Sequence, residues 1–61
     1  MREELISMGF VNTKESIYKF EDVDLDIRFD LAKNKGAMIH NGELEMIESY
    51  DDLLEIMDYI L

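Results

Sequence analysis

The sequence predicts an α+β domain: a four-stranded antiparallel meander with N- and C-terminal helices packed on one face, in the order αββββα. Three observations predict it. Val23, Leu25, Ile27, Phe29 and Leu31 alternate with Asp24, Asp26, Arg28 and Asp30, the pattern of a half-buried strand. Asn41-Gly42 is the strongest hairpin signal, because a type I′ turn needs positive φ at both central residues. Leu53, Ile56, Met57 and Ile60 recur at helical spacing behind Ser49. Residues 1–61 read as a single domain.

The first helix is expected over Arg2–Met8, with acids in its first turn and Gly9 placed to end it. Phe10 then folds back on Leu5 or Ile6. From Ser16 to Ile47 the period changes to two. A tight turn at Glu21-Asp22 pairs Phe20 with Val23 and Tyr18 with Leu25, and sets Lys19 against Asp24 on the solvent face. Glu is a poor residue for such a turn, which allows for a longer loop. A loop of Ala32–Gly36 pairs Leu31 with Ala37 and Phe29 with Ile39. The Asn41-Gly42 turn pairs His40 with Glu43, Ile39 with Leu44, Met38 with Glu45 and Ala37 with Met46. Ala37, Ile39, Leu44 and Met46 then face the core, and Ile17, Met38 and Ile47 are left unplaced by the pattern. In the last helix Ser49 and Asp52 resemble a capping box, and Asp51 and Asp52 sit near the positive end of the helix dipole.

Fifteen acidic against six basic residues give a net charge of −9, spread along the chain. Such a surface repels nucleic acid and anionic membrane, so neither is an expected direct partner. It suits a protein with a basic surface, and it also serves plain solubility. A domain this small buries only about 60% of its unfolded surface. With no Cys, its stability must come from apolar packing, for which 48% hydrophobic residues suffice. The lack of Cys excludes disulfides, thiolate metal sites and cysteine nucleophiles. No signal-peptide pattern and no long apolar segment are visible, so a cytoplasmic protein is expected, as a monomer or weak homodimer.

Asp22, Asp24, Asp26 and Asp30 have the spacing of a calcium loop. Counted from Asp22, however, Ile27 falls where such loops need Gly, and Lys33 where they need a bidentate Glu. The strand reading accounts for all of these residues, so no metal and no cofactor are expected. Catalysis is not expected either. One histidine, His40, supports no triad, Ser49 is used as a cap, and three glycines form no phosphate loop. His40 is expected on the solvent face near Arg28.

Two surfaces remain. The open sheet face is expected to carry Asp24, Asp26, Asp30, Glu43 and Glu45 around Met38, Ile17 and His40, acids ringing apolar anchors. The outer stripe of the last helix carries Asp51, Glu55 and Asp58. Asp24, Asp26, Asp30, Met38, Glu43 and Glu45 are the expected partner-binding residues. Lys19, Glu43 and Glu45 are expected to discourage edge-to-edge pairing of outer strands.

The helix ending in MGF, the Tyr-bearing strand, the NG hairpin and the closing SYDDLLEIMDYI helix resemble small acidic phage and prophage proteins of low-GC Gram-positive bacteria. The resemblance spans nearly the whole chain and carries no diagnostic motif. It implies a protein that binds and inhibits a host protein, as some small phage proteins do by imitating the charge of DNA. With the charge balance and the absence of catalytic motifs, the expected function is a non-catalytic acidic protein-binding module, an inhibitor or adaptor that binds a host protein, with a basic nucleic-acid-binding cleft as one such target. The alternative is an acidic antitoxin or immunity protein that neutralises a toxin.

Overall fold

The structure, a computed structural model, describes residues 2–60. Helix α1 (Arg2–Ser7) is followed by strands β1 (Val11–Lys14), β2 (Ile17–Asp22), β3 (Leu25–Asp30), β4 (Lys35–His40) and β5 (Glu43–Ile47), then helix α2 (Tyr50–Ile60). The strands form one five-stranded antiparallel sheet in chain order, β1-β2-β3-β4-β5. The α+β class agrees with the sequence, but the sheet has one strand more than expected. Exposed at every position and only four residues long, β1 gives no alternation to read.

Helix α1 ends in a Schellman motif. The Phe10 N–H donates to the Leu5 carbonyl at 2.9 Å and the Gly9 N–H to that of Ile6 at 3.0 Å, with Gly9 at φ 103°. Phe10 and Leu5 are both buried, as expected for a chain that folds back on its own helix. Phe10 also meets Phe20, ring centroids 5.3 Å apart.

Ser49 caps α2: its hydroxyl accepts the Asp52 N–H at 3.2 Å and its carbonyl the Leu53 N–H at 3.1 Å. A second cap comes from outside the helix. Asn34, in the β3–β4 loop, accepts the Tyr50 N–H through Oδ1 at 2.7 Å. Loop and helix start are thereby tied together.

The core lies between the helices and one face of the sheet. Leu5, Tyr18, Ile27, Phe29, Ile47, Leu53 and Met57 are its most deeply buried large side chains. Leu25, Ile27 and Phe29 are core residues, as the alternation predicts. The expected register of the Asn41-Gly42 hairpin is also present, with both residues at positive φ.

Two other registers differ from expectation, for identifiable reasons. The β2–β3 turn falls at Val23-Asp24, so Tyr18 pairs with Phe29 and Lys19 with Arg28. Asp24 supplies the required positive φ of 57°, and Asp22 Oδ1 accepts the Val23 N–H at 2.8 Å. Val23 is consequently exposed in the turn. This slip moves the pairing by an even number of positions, and the buried face survives.

The β3–β4 slip is odd, and it turns a face over. Asp30 pairs with Lys35, Phe29 with Gly36, Arg28 with Ala37 and Ile27 with Met38. The loop is therefore Leu31–Asn34, not Ala32–Gly36. Asp30 Oδ1 accepts the Ala32 N–H at 3.0 Å, and Asn34 takes the left-handed conformation that closes the loop early. Met38 and Ile47 enter the core, while Ile39, Leu44 and Met46 turn outward.

Candidate functional site

The inverted β4–β5 ribbon creates the most distinctive surface. On the face away from the helices, Ile39 lies opposite Leu44 and Ala37 opposite Met46. Ile39 is 48% exposed, Leu44 65% and Met46 63%, so three large apolar side chains are contiguous in water. The next strand borders them with charge, Asp26 opposite Ile39 and Arg28 opposite Ala37. Asp26, Arg28, Ala37, Ile39 and Leu44 line a shallow depression of about 270 Å³. One oxygen of Asp26 is buried there without a hydrogen-bond partner.

The expected binding residues do not form one patch. Of the six, only Asp26 and Asp30 stand beside the apolar group on the open face, Asp26 near Ile39 and Leu44 and Asp30 near Ala37 and Met46. Asp24 sits in the β2–β3 turn. Met38, expected as an exposed anchor, is only 6% exposed and faces the helices, opposite Ile27. Glu43 and Glu45 are exposed but project to the helix-covered side, Glu45 opposite Met38. His40 shares that side, between Leu25 and Glu43, and does not approach Arg28 on the other face. Ile17 is on the open face as expected, half-buried. The stripe of Asp51, Glu55 and Asp58 occurs on α2, exposed throughout.

Asp30 has structural work. Its Oδ1 accepts the Ser16 hydroxyl at 2.5 Å as well as the Ala32 N–H, and the Ser16 carbonyl accepts the Leu31 N–H at 3.0 Å. The hydrogen bond from Ser16, helped by the Lys33 and Ala32 N–H groups, holds the Asp30 carboxyl below its ordinary value. A lowered folded-state pKa stabilises the protein above the unfolded-state value, and that contribution disappears as pH falls through the folded one. Ser16→Ala should therefore lower the melting temperature near neutrality. Its difference from the wild type should shrink once the pH is well below the carboxylate range. A difference that stays constant with pH would show that the Ser16–Asp30 bond is not ionic in origin.

Tyr50 is shifted the other way: burial, with the Glu4 carboxylate beside its hydroxyl, raises its pKa. That pairing joins the start of α2 to α1. The exposed ion pair of Lys35 with Glu48, 3.1 Å, is of the surface kind that contributes little.

Among the described residues, no cluster of His, Asp and Glu is arranged to hold a metal ion, and no helix is long and apolar enough to cross a membrane. Of the calcium-like run, Asp22 ends β2, Asp24 lies in the β2–β3 turn, and Asp26 and Asp30 lie on the open face of β3. Comparison with protein-family models, curated proteins and solved structures finds no significant match.

What sequence reasoning missed is the outward set Ile39, Leu44 and Met46. A signal for it was present. Asp30 and Asn34 are turn residues at both ends of a short loop, and closing the loop there carries Met38 and Ile47, two of the unplaced residues, into the core.

Proposed function

We propose that this protein is a non-catalytic acidic protein-binding module that inhibits a host protein, in the manner of small phage proteins, by covering a basic surface. The observation that carries this reading is the contiguous exposure of Ile39, Leu44 and Met46 on a chain of net charge −9. Acids accelerate encounter with a basic partner, and desolvated apolar anchors lengthen the life of the complex. The open face also carries Lys19, Arg28 and Lys35, so apolar anchoring supports the reading better than a uniform anionic track imitating DNA.

The test compares immobilised wild type with the Leu44→Ser/Met46→Ser double variant in capture from a host lysate. Both side chains are exposed, so folding should be retained and is checked by circular dichroism. Loss of two anchors should weaken capture of the same protein about thirtyfold. Capture by the wild type should also fall as salt rises. Equal capture by both proteins would remove the basis of the proposal.

A further inference from the structure

The two edges of the sheet differ. At β1 the pairing is broken by an irregularity between Asn12 and Lys14, and the Asn12 side chain donates back to the Glu15 and Ile17 carbonyls. Bulges of this kind protect an edge from further pairing. Strand β5 has no such guard. It pairs with β4 in unbroken register from Glu43 to Ile47, and four of its five residues are exposed.

The hairpin geometry shows which main-chain groups that edge offers. A two-residue type I′ turn closes on a hydrogen-bonded pair, here His40 and Glu43. Hydrogen-bonded pairs then recur at Met38–Glu45 and Gly36–Ile47, which sends the N–H and C=O of Leu44 and Met46 outward. The same two residues present their side chains to the open face. Glu43 and Glu45 stand on the opposite face, and Glu45 borders a groove of about 550 Å³ lined also by His40, Glu55, Ile56 and Tyr59.

We propose that β5 accepts an extended segment of the partner as a sixth strand, one whose side chains alternate between apolar and basic. The inference rests on the protein-binding reading above and names its mode. Apolar side chains of the added strand lie beside Leu44 and Met46. The alternate ones lie beside Glu43 and Glu45, where Lys or Arg forms cross-strand ion pairs. Their aliphatic stems run over the groove, with Glu55 and the Tyr59 ring at its far side. A second copy of this chain fits poorly. Two-fold antiparallel pairing of β5 with itself sets Glu43 against Glu45 twice when centred on Leu44, or Glu45 against Glu45 when centred on Glu45; centred on Met46 it sets Leu44 against Glu48, and in every register it joins chains of −9 each. The glutamates therefore oppose self-pairing and favour a basic strand.

The test uses a short peptide alternating lysine and valine, a peptide of the same composition with its lysines and valines in blocks, and the alternating peptide N-methylated on one edge. Binding is followed by amide hydrogen exchange. The alternating peptide should slow exchange at Leu44 and Met46 at least about tenfold, and the two controls should not. Glu43→Lys/Glu45→Lys should weaken that peptide about tenfold. Equal binding of the N-methylated peptide, or binding that leaves Leu44 and Met46 unprotected, overturns strand addition. So does protection that grows with protein concentration alone, which would identify a second copy as the occupant. If no peptide binds while Leu44→Ser/Met46→Ser still abolishes lysate capture, strand addition falls and the protein-binding reading stands. If that capture is also insensitive to the double variant, both fall.

Discussion

Ile27→Asp should unfold the protein, while Asp26→Asn, one residue away, should leave the melting temperature nearly unchanged. Ile27 is fully buried between Phe20 and Met38 on the neighbouring strands, under the helices. Removing its branched side chain alone would cost about 2–5 kcal/mol. An unpaired carboxylate in the same place adds several kcal/mol more. A domain of this size rarely has more than about 3–5 kcal/mol of total stability. The substitution exceeds the whole reserve. Asp26 projects from the same strand to the opposite face, and Asn keeps its shape while removing a charge whose one oxygen is buried without a partner. A surface change of this kind stays within about 0.5 kcal/mol. Circular dichroism and thermal melts of the two variants decide the matter. Reversed effects would mean that β3 presents its other face to the helices.

Gly36→Ala should destabilise the fold by about 1–3 kcal/mol, the usual cost of overpacking. The sign is the informative part. At an open position in a strand, replacing Gly by Ala is stabilising, because the unfolded chain has less entropy to lose. At Gly36 an added Cβ would stand 2.3 Å from the Arg28 carbonyl oxygen and 2.8 Å from the Phe29 ring. The oxygen belongs to the adjacent strand and cannot yield without disturbing the ladder. Phe29 needs the space that Gly36 leaves, because it is buried opposite that residue and meets Tyr50 with ring centroids 6.0 Å apart. Urea titration of the variant is sufficient. A raised midpoint would contradict the pairing of Phe29 with Gly36.

Those residues also mark where the fold was legible in the sequence and where it was not. Leu25, Ile27 and Phe29 could be read as core because alternation is a local property of one strand. Asn41-Gly42 fixed its hairpin because two residues determine that turn. The link between β3 and β4 depends on something less local. Gly36 looks like a loop residue in isolation, and only the Phe29 side chain across the ladder makes it a strand residue. Misplacing it moved Met38 into water and Leu44 into the core, so the candidate anchors were exchanged with their neighbours. The acids suffered differently. Asp30 was readable as charged but not as occupied, because its partner Ser16 is fourteen positions away and the contact exists only once β2 and β3 have paired. Strand β1 was invisible, since its bulge and side-chain hydrogen bonds leave no periodicity.

The chain-order sheet has a consequence for how the molecule forms. Every strand pairs with its neighbour in sequence, so each ladder closes over a short loop and adds to one already made. Loop-closure entropy is therefore spent in small steps, the condition under which small domains fold fast. The chain contains no proline, so no residue imposes the slow cis–trans isomerisation that delays many refolding reactions by tens of seconds. Refolding should therefore be complete within the several seconds a ribosome takes, at about 5–20 residues per second, to make the next copy. For a protein with so little reserve stability, that speed of return limits the time its apolar strands spend unpaired.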